Sequence, residues 1–234
     1  DDDNAANRFA ADLRGFSERD VVQLPSRELV MADVVGVSRG YEQRRLAALD
    51  ELTEAHFAVA SVQAAAQRTM PPEALKAAIV SLATGETAPL DELAQSLTRA
   101  GYERCVQVEG TGQFSVRGGI LDVFPPQAEH PYRVEFWDDE IDSISTFDVG
   151  SQRRLEQCES LRCLPCMESI PALAKGGAAG LAKAVLALTS TRRKKQHADL
   201  QTNLERDAER LRETGSLPAA DKYMPLVYPE MATA

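Results

Sequence analysis

The apolar positions of the first 70 residues alternate between a helical spacing and short continuous runs. A helical pattern over 4–16 precedes the apolar stretch VVQLP at 21–25, and a second helical pattern, 38–55, precedes FAVASV at 57–62. Apolar runs of this length bounded by turn residues are typical of buried strands. Because strand and helix alternate, we predict an α/β layer with a largely parallel sheet.

The apolar spacing changes to a period of two between Cys105 and Phe147, with glycine and proline pairs as punctuation. This alternation predicts an antiparallel meander. A short strand at 78–82 and a helix at 90–100 precede it, so this part is α+β. Helical spacing then returns over 178–189 and 193–213.

Two strands of the meander, FSVR at 114–117 and RVEFW at 133–137, have one apolar and one polar face. The polar face carries Arg117, Arg133 and Trp137. Trp and Arg are the residues most enriched at interface hot spots, so this face is a candidate protein-docking surface. The alternative is that Trp137 packs on a helix or on a neighbouring domain.

The charge balance argues against a chain whose main task is to bind nucleic acid. The formal net charge is −10, whereas phosphate binding relies on clustered Lys and Arg. One basic block interrupts this acidity, at Arg192, Arg193, Lys194 and Lys195. Such a run is either the solvated face of a helix or a contact with DNA phosphate.

The sequence predicts neither a membrane protein nor a disulfide scaffold. No apolar run approaches the ~20 residues of a membrane-spanning helix, and the acidic opening DDDNAANRFAADL lacks the apolar core of a signal peptide. Four cysteines are few for 234 residues, so we expect a reducing cytoplasm. The first helix follows no strand, and we expect a segment of a longer protein.

Motifs for catalysis or cofactors are weak throughout the chain. No G-x-x-x-x-G-K-[ST] phosphate loop occurs, and KGGAAGLAK at 175–183 lacks its spacing and hydroxyl. The spacing of Cys158, Cys163 and Cys166, with Cys105 as a possible fourth ligand, resembles an iron–sulfur pattern, but buried apolar cysteines are the alternative. We predict no catalytic residue, no metal and no cofactor in these residues.

Two long motifs carry a family resemblance. GQFSVRGGILDVFP at 112–125 and PYRVEFWDDEIDSISTFDVGSQRR at 131–154 resemble the module shared by the excision-repair protein UvrB and the bacterial transcription-repair coupling factors. The ending FDVGSQRR resembles the coupling factors, as do GVSRGYEQRRLAAL at 36–49 and KYMPLVYPEMA at 222–232.

The resemblance implies a fold with α/β and α+β parts in three units. Residues 1–72 would be a partial helicase-like α/β domain that lacks its first strand and phosphate loop. Residues 73–165 would be an inserted antiparallel-sheet domain that binds UvrA, and 166–234 the start of a further α/β domain. Family members hold UvrA through two arginines and an aromatic residue, which match Arg117, Arg133 and Trp137; many relatives have Phe at the last position.

The resemblance also implies partners for the parent protein, in the bacterial cytoplasm. That protein releases stalled RNA polymerase with a DNA translocase that uses ATP and Mg outside these residues, and its own C-terminal domain masks the UvrA face. The chain itself would be non-catalytic. Two alternatives stay open: a DNA-binding module that uses Arg192 to Lys195, and a UvrB-type damage-binding fragment.

Overall fold

The computed structural model describes residues 2–27, 40–52, 54–190 and 198–233. The α-helices in these ranges are α1 Asp3–Phe16, α2 Gly40–Glu51, α3 Val62–Ala66, α4 Pro72–Ala78, α5 Leu90–Arg99, α6 Gly177–Ser190, α7 Ala198–Thr214 and α8 Met224–Val227. The strands are β1 Val21–Leu24, β2 Phe57–Ala60, β3 Arg68–Thr69, β4 Val80–Ala83, β5 Glu103–Arg104, β6 Gln113–Arg117, β7 Ile120–Val123, β8 Tyr132–Trp137, β9 Glu140–Phe147, β10 Arg154–Cys158, β11 Ser160–Cys163 and β12 Ala232–Thr233.

The first part of the chain is a small α/β layer. Helix α1 begins where the Asp2 carboxylate accepts a hydrogen bond from the backbone N–H of Ala5 at 2.9 Å, which satisfies one unpaired N-terminal donor. Strands β1 and β2 pair in parallel, and Ala10 of α1 packs in one cluster with Val21 and Val59. The predicted parallel strands are therefore present, as a two-stranded sheet among the described residues.

A six-stranded sheet forms the middle of the chain, in the order β10-β9-β8-β7-β6-β5. Its pairs are antiparallel, as the alternating pattern predicts, except that the short edge strand β5 runs parallel to β6. Helix α5 covers one face through Leu97, which packs with Phe114, Leu121 and Val134. The opposite face carries the polar residues of these strands.

Pro71 and Pro72 do not interrupt the chain as a loop would; they begin α4. Pro72 is the first helical residue, where a missing backbone N–H leaves no intrahelical hydrogen bond unmade. The apolar pattern predicted no helix over 72–78, so α4 is an element that it missed.

Helices α6 and α7, which the helical spacing predicts over 178–189 and 193–213, pack against each other in the last part of the chain. Their apolar residues share one cluster with Leu46 of α2 and with Met70, so residues far apart in sequence form a common core. The described part of α7 begins at Ala198, and Arg192 to Lys195 lie outside the described residues. Among the described residues, no helix has the length and apolar character needed to cross a bilayer.

A buried ion network connects the first part of the chain to the last. The fully buried carboxylate of Glu168 accepts hydrogen bonds from Arg27 Nη2 at 2.9 Å and from Arg45 Nε at 3.1 Å. Arg45 also donates to the carbonyl of Pro25 at 2.6 Å. Asp221 lies 3.9 Å from Arg27 Nε at the edge of the network. Two arginines from the first part thus converge on a residue that follows the six-stranded sheet.

Replacement of Glu168 by Ala should lower the free energy of unfolding by about 3–5 kcal/mol, because it leaves two guanidinium groups in a buried site without their carboxylate. Urea denaturation followed by circular dichroism measures the change. Glu159→Ala, at an exposed position, is the control and should alter stability by less than about 0.5 kcal/mol. Equal effects of the two substitutions would contradict a stabilising role for the network.

The carboxyl of Asp221 should make stability depend on pH. Burial raises its pKa to about 6, against 3.8 for the ordinary group, so the folded chain retains this proton to a higher pH than the unfolded chain does. The contribution of the group to stability is therefore greatest below about pH 4 and is lost as the pH rises to about 6. Denaturation of the parent and of Asp221→Asn across this range should show the parent losing on the order of 2 kcal/mol relative to the variant. If the difference in unfolding free energy between the two proteins did not change with pH, the raised pKa of Asp221 would be refuted.

Candidate protein-docking site

The polar face of the six-stranded sheet is defined by the alternation of strand β8. Val134 is fully buried on the side of α5 and Phe136 packs against the same cluster, whereas Arg133 and Glu135 point to the opposite side. Trp137 ends the strand with 82% of its surface exposed. The predicted division of this strand into two faces is therefore present. Trp137 is not covered by a helix in the described part of the chain.

The strand register brings the charged residues of this face together. Asp122 of β7 lies directly opposite Arg133 of β8 and, on its other side, opposite Ser115 of β6. Arg117 ends β6 two residues further along, opposite Ile120. Two arginines on strands that do not pair with each other thus flank one carboxylate on the strand between them.

Asp122 is the centre of this arrangement, with only 1% of its surface exposed. Arg133 donates from Nε to Oδ1 at 2.7 Å and from Nη2 to Oδ2 at 2.9 Å. Arg117 donates from Nη2 to Oδ2 at 2.6 Å. Hydrogen bonding to the carboxylate raises the pKa of Arg133 above its ordinary value. The sequence placed Arg117 and Arg133 on one face, but it did not identify the carboxylate that joins them.

The two arginines differ in their surroundings. The guanidinium of Arg133 lies over the ring of Phe147, 4.6 Å from its centroid, and only 17% of its side chain is exposed. The side chain of Arg117 is 48% exposed. Phe147 belongs to a small apolar cluster on the polar side of the sheet, with Val108 and Phe124. Arg133 is therefore packed within the face, whereas Arg117 lies at its surface.

A tight turn between β6 and β7 positions Arg117. Gly118 adopts a positive φ of 58°, a conformation that glycine reaches without strain. Gly119 lies so close to β8 that an added Cβ would be 3.0 Å from the carbonyl oxygen of Phe136. The carbonyl of Gly119 also accepts a hydrogen bond from the Phe136 N–H at 2.8 Å. The end of this hairpin is therefore held against the strand that carries Trp137.

Trp137 lies beside an acidic hairpin turn. It pairs with Glu140 across a turn formed by Asp138 and Asp139, and Asp138 has a positive φ of 58°. The exposed carboxylates of Asp138 and Asp139 thus occupy a turn. An exposed indole between a pair of arginines and an acidic turn is a surface suited to contact with another protein.

A second ion pair extends the face toward the edge strand β10. Arg154 Nη2 donates to Glu135 Oε1 at 2.6 Å, and the hydroxyl of Ser143 donates to Glu135 Oε2 at 3.0 Å. The hydrogen bond from Arg154 lowers the pKa of the Glu135 carboxyl. The Arg154–Glu135 contact does not follow from sequence spacing, because β10 and β8 come together only through β9, which lies between them in the sheet.

Comparison with known proteins identifies the family of the region that contains this sheet face. Residues 80–168 match the model of the UvrB interaction domain. The transcription-repair-coupling factor of Bacillus subtilis is 34% identical over 97% of the chain, and that of Myxococcus xanthus is 36% identical over 71% of it. The chain is a UvrB-like module of the transcription-repair-coupling factor family. The UvrABC system protein B of Kosmotoga olearia is 27% identical over 63% of the chain.

The module covers a small share of the proteins that it resembles. It spans 20% of the B. subtilis coupling factor, 15% of the M. xanthus protein and 22% of the K. olearia protein. The predicted family resemblance is thus confirmed, and the matched domain contains Arg117, Arg133 and Trp137 together with Asp122.

Among the described residues of the coupling-factor module, no group of three or more His, Cys, Asp and Glu side chains is arranged so that it could hold a metal ion. Cys163 and Cys166 are buried near Tyr102, and burial raises the pKa of the Cys163 thiol to about 12. Cys105 and Cys158 are half-buried elsewhere on the sheet. Cys163 and Cys166 are thus buried thiols beside Tyr102, and the absence of a metal stays a prediction.

Replacement of Gly119 by Ala should destabilise the module by about 1–3 kcal/mol, since the new Cβ would press on the Phe136 carbonyl oxygen. Gly110→Ala is the matched control, because a Cβ there meets nothing within 4 Å. Thermal and urea denaturation of both variants measure the difference. The prediction is wrong if Gly119→Ala is as stable as Gly110→Ala.

Proposed function

We propose that this module recruits the excision-repair protein UvrA and that UvrA docks on the polar sheet face around Arg117, Arg133 and Trp137. The observation that carries the proposal is the exposed Trp137, in the same face as the arginine pair. The UvrB interaction domain match over 80–168 supports it, since these residues lie within that domain. This is a docking function, and no step of it requires catalysis by the chain.

The chemistry of the face fits such a role. An aromatic side chain buries about 150–250 Å² when it is covered, and this area supplies the apolar centre of an interface. Arg117 retains donors that can meet a carboxylate on the partner, and guanidinium groups form such contacts with defined geometry. Trp137 would thus supply affinity and the arginines orientation.

We propose further activities for the full-length protein of which this module is a part. The printed name of the relatives joins transcription to repair, and we propose that the parent displaces stalled RNA polymerase on DNA with an ATP-driven translocase elsewhere in its sequence. Its own C-terminal domain would cover the docking face until polymerase is engaged. We also propose that residues 1–72 are part of a helicase-like domain, 73–165 the inserted domain and 166–234 the start of a third. The family match over 80–168 supports the position of the insert.

DNA binding through Arg192, Arg193, Lys194 and Lys195 is the alternative function. The net charge of −10 counts against it, because a phosphate-binding surface is usually basic. It predicts DNA affinity that falls steeply with salt and is lost when this block is neutralised. A UvrB-type fragment would instead bind damaged DNA in a nucleotide-dependent manner.

The test is calorimetric titration of the module into purified UvrA. The Trp137→Ala and Arg133→Glu variants of the module are titrated beside the unsubstituted module. Each variant should lose roughly 2 kcal/mol or more of binding free energy, as hot-spot residues do. Phe16→Ala is the matched control: Phe16 is 92% exposed but lies on α1, outside the sheet, and its removal should leave affinity unchanged.

Circular dichroism of each variant establishes that it is folded before titration. Unchanged affinity in both sheet variants would place the UvrA contact elsewhere. If the unsubstituted module fails to bind UvrA but binds DNA in a salt-sensitive manner, the alternative function is favoured.

A further inference from the structure

Arg117 and Arg133 bind the same carboxylate in different ways. Arg133 approaches Asp122 side-on and uses two donors on the two oxygens, at 2.7 and 2.9 Å. Arg117 reaches only Oδ2, with one Nη2 donor at 2.6 Å. A two-point contact fixes the plane of a guanidinium group, whereas a one-point contact leaves the rest of the group available for other acceptors.

The other sides of Arg133 are also occupied. Phe147 lies under its guanidinium plane, and the backbone and side-chain oxygens of Gln152 are 3.5 and 3.4 Å from its Nη atoms. Little of Arg133 is open to a docking protein. Arg117 is about half exposed, at the end of β6 next to the turn that leads to β7.

Asp122 itself is too buried to touch a partner protein, and both of its oxygens accept from the two arginines. A buried carboxylate needs such partners, since its desolvation is otherwise unfavourable. Its position on β7, between the strands that carry the two arginines, lets it set the relative placement of both.

We propose that Asp122 is a positioning residue of the docking face: it holds Arg133 as a fixed brace and directs Arg117 toward an acidic side chain of the docking partner. This rests on the proposed function and deepens it, because it assigns unequal roles to the two arginines. Arg117 makes the charged contact, and Arg133 acts through Asp122 and through the packing of Phe147.

The sign of one substitution separates positioning from simple charge. Asp122→Asn removes a negative charge from a surface that meets an acidic group, so long-range electrostatics alone would strengthen binding. Positioning predicts the opposite, because the amide of Asn cannot hold two guanidinium groups on two anionic oxygens. We expect Asp122→Asn to bind UvrA at least about 10-fold more weakly than the parent.

Asp142→Asn is the matched control, since Asp142 is an exposed carboxylate on β9 of the same sheet and the same charge is removed. It should change the UvrA affinity by less than about 3-fold. Equal or tighter binding by Asp122→Asn, in protein that unfolds at the same temperature as the parent, would overturn the proposal.

Two charge-conserving variants test the unequal roles. Lysine at position 133 keeps the charge but cannot form the two-point contact or lie flat over Phe147, so Arg133→Lys should weaken UvrA binding about 10-fold or more. Lysine at position 117 can replace a one-point contact, and Arg117→Lys should stay within about 3-fold of the parent. If Arg117→Lys lost more UvrA affinity than Arg133→Lys, the unequal roles of the two arginines would be refuted.

A measurement without UvrA distinguishes failure of this inference from failure of the proposed function. The Nε–H of Arg133 should exchange slowly with water in ¹⁵N-resolved NMR of the parent, and this protection should disappear in Asp122→Asn. Rapid exchange in the parent would overturn the positioning role whether or not UvrA binds. Slow exchange with no UvrA binding would retain the positioning role and reject the docking function.

Discussion

A carboxylate that water cannot reach must be compensated by nearby positive charge, and within the described ranges two carboxylates meet this constraint with a pair of arginines each. Glu168 is held by Arg27 and Arg45, and Asp122 is held by Arg117 and Arg133. In each case the residues come from different elements, so the ion network fixes how those elements are placed. Burial of the charge is favourable only when these contacts form together, which ties the local geometry to the completed fold.

The two networks have different places in the molecule. The Glu168 network lies in the interior, and its arginines reach it from before β2 while the carboxylate follows β11. The Asp122 network lies on one face of the six-stranded sheet, across the inner strands β6, β7 and β8. The first therefore stabilises the packing of distant segments, whereas the second shapes a surface. Removal of the Glu168 carboxylate would therefore change mainly the free energy of unfolding. Removal of the Asp122 carboxylate would change mainly the affinity for a docking partner.

Periodicity predicted the strands and their faces because it depends only on neighbouring residues. The inward direction of Val134 and the outward direction of Trp137 follow from alternation alone. Asp122 could not be identified in this way, because its partners are set by the register of β6, β7 and β8, which sequence spacing does not determine. The ion pair of Arg154 with Glu135 has the same cause.

The core of the last part of the chain was beyond sequence analysis for a related reason. Leu46 and Met70 share a cluster with helices α6 and α7, more than a hundred residues away. Helical spacing indicates which side of a helix is apolar, but it does not name the surface that covers it. Alternation along the two strands assigned Arg117, Arg133 and Trp137 to one face, and the family resemblance independently matched the same three residues.

The chain contains one tryptophan, and it is the exposed residue at the end of β8. Its indole fluorescence therefore comes from a single place in the molecule, at the hairpin end of the face assigned to docking. The emission of an indole shifts to shorter wavelength when water is excluded from it. The module thus carries its own optical reporter, so occupancy of this face could be followed in real time without any label attached to the chain.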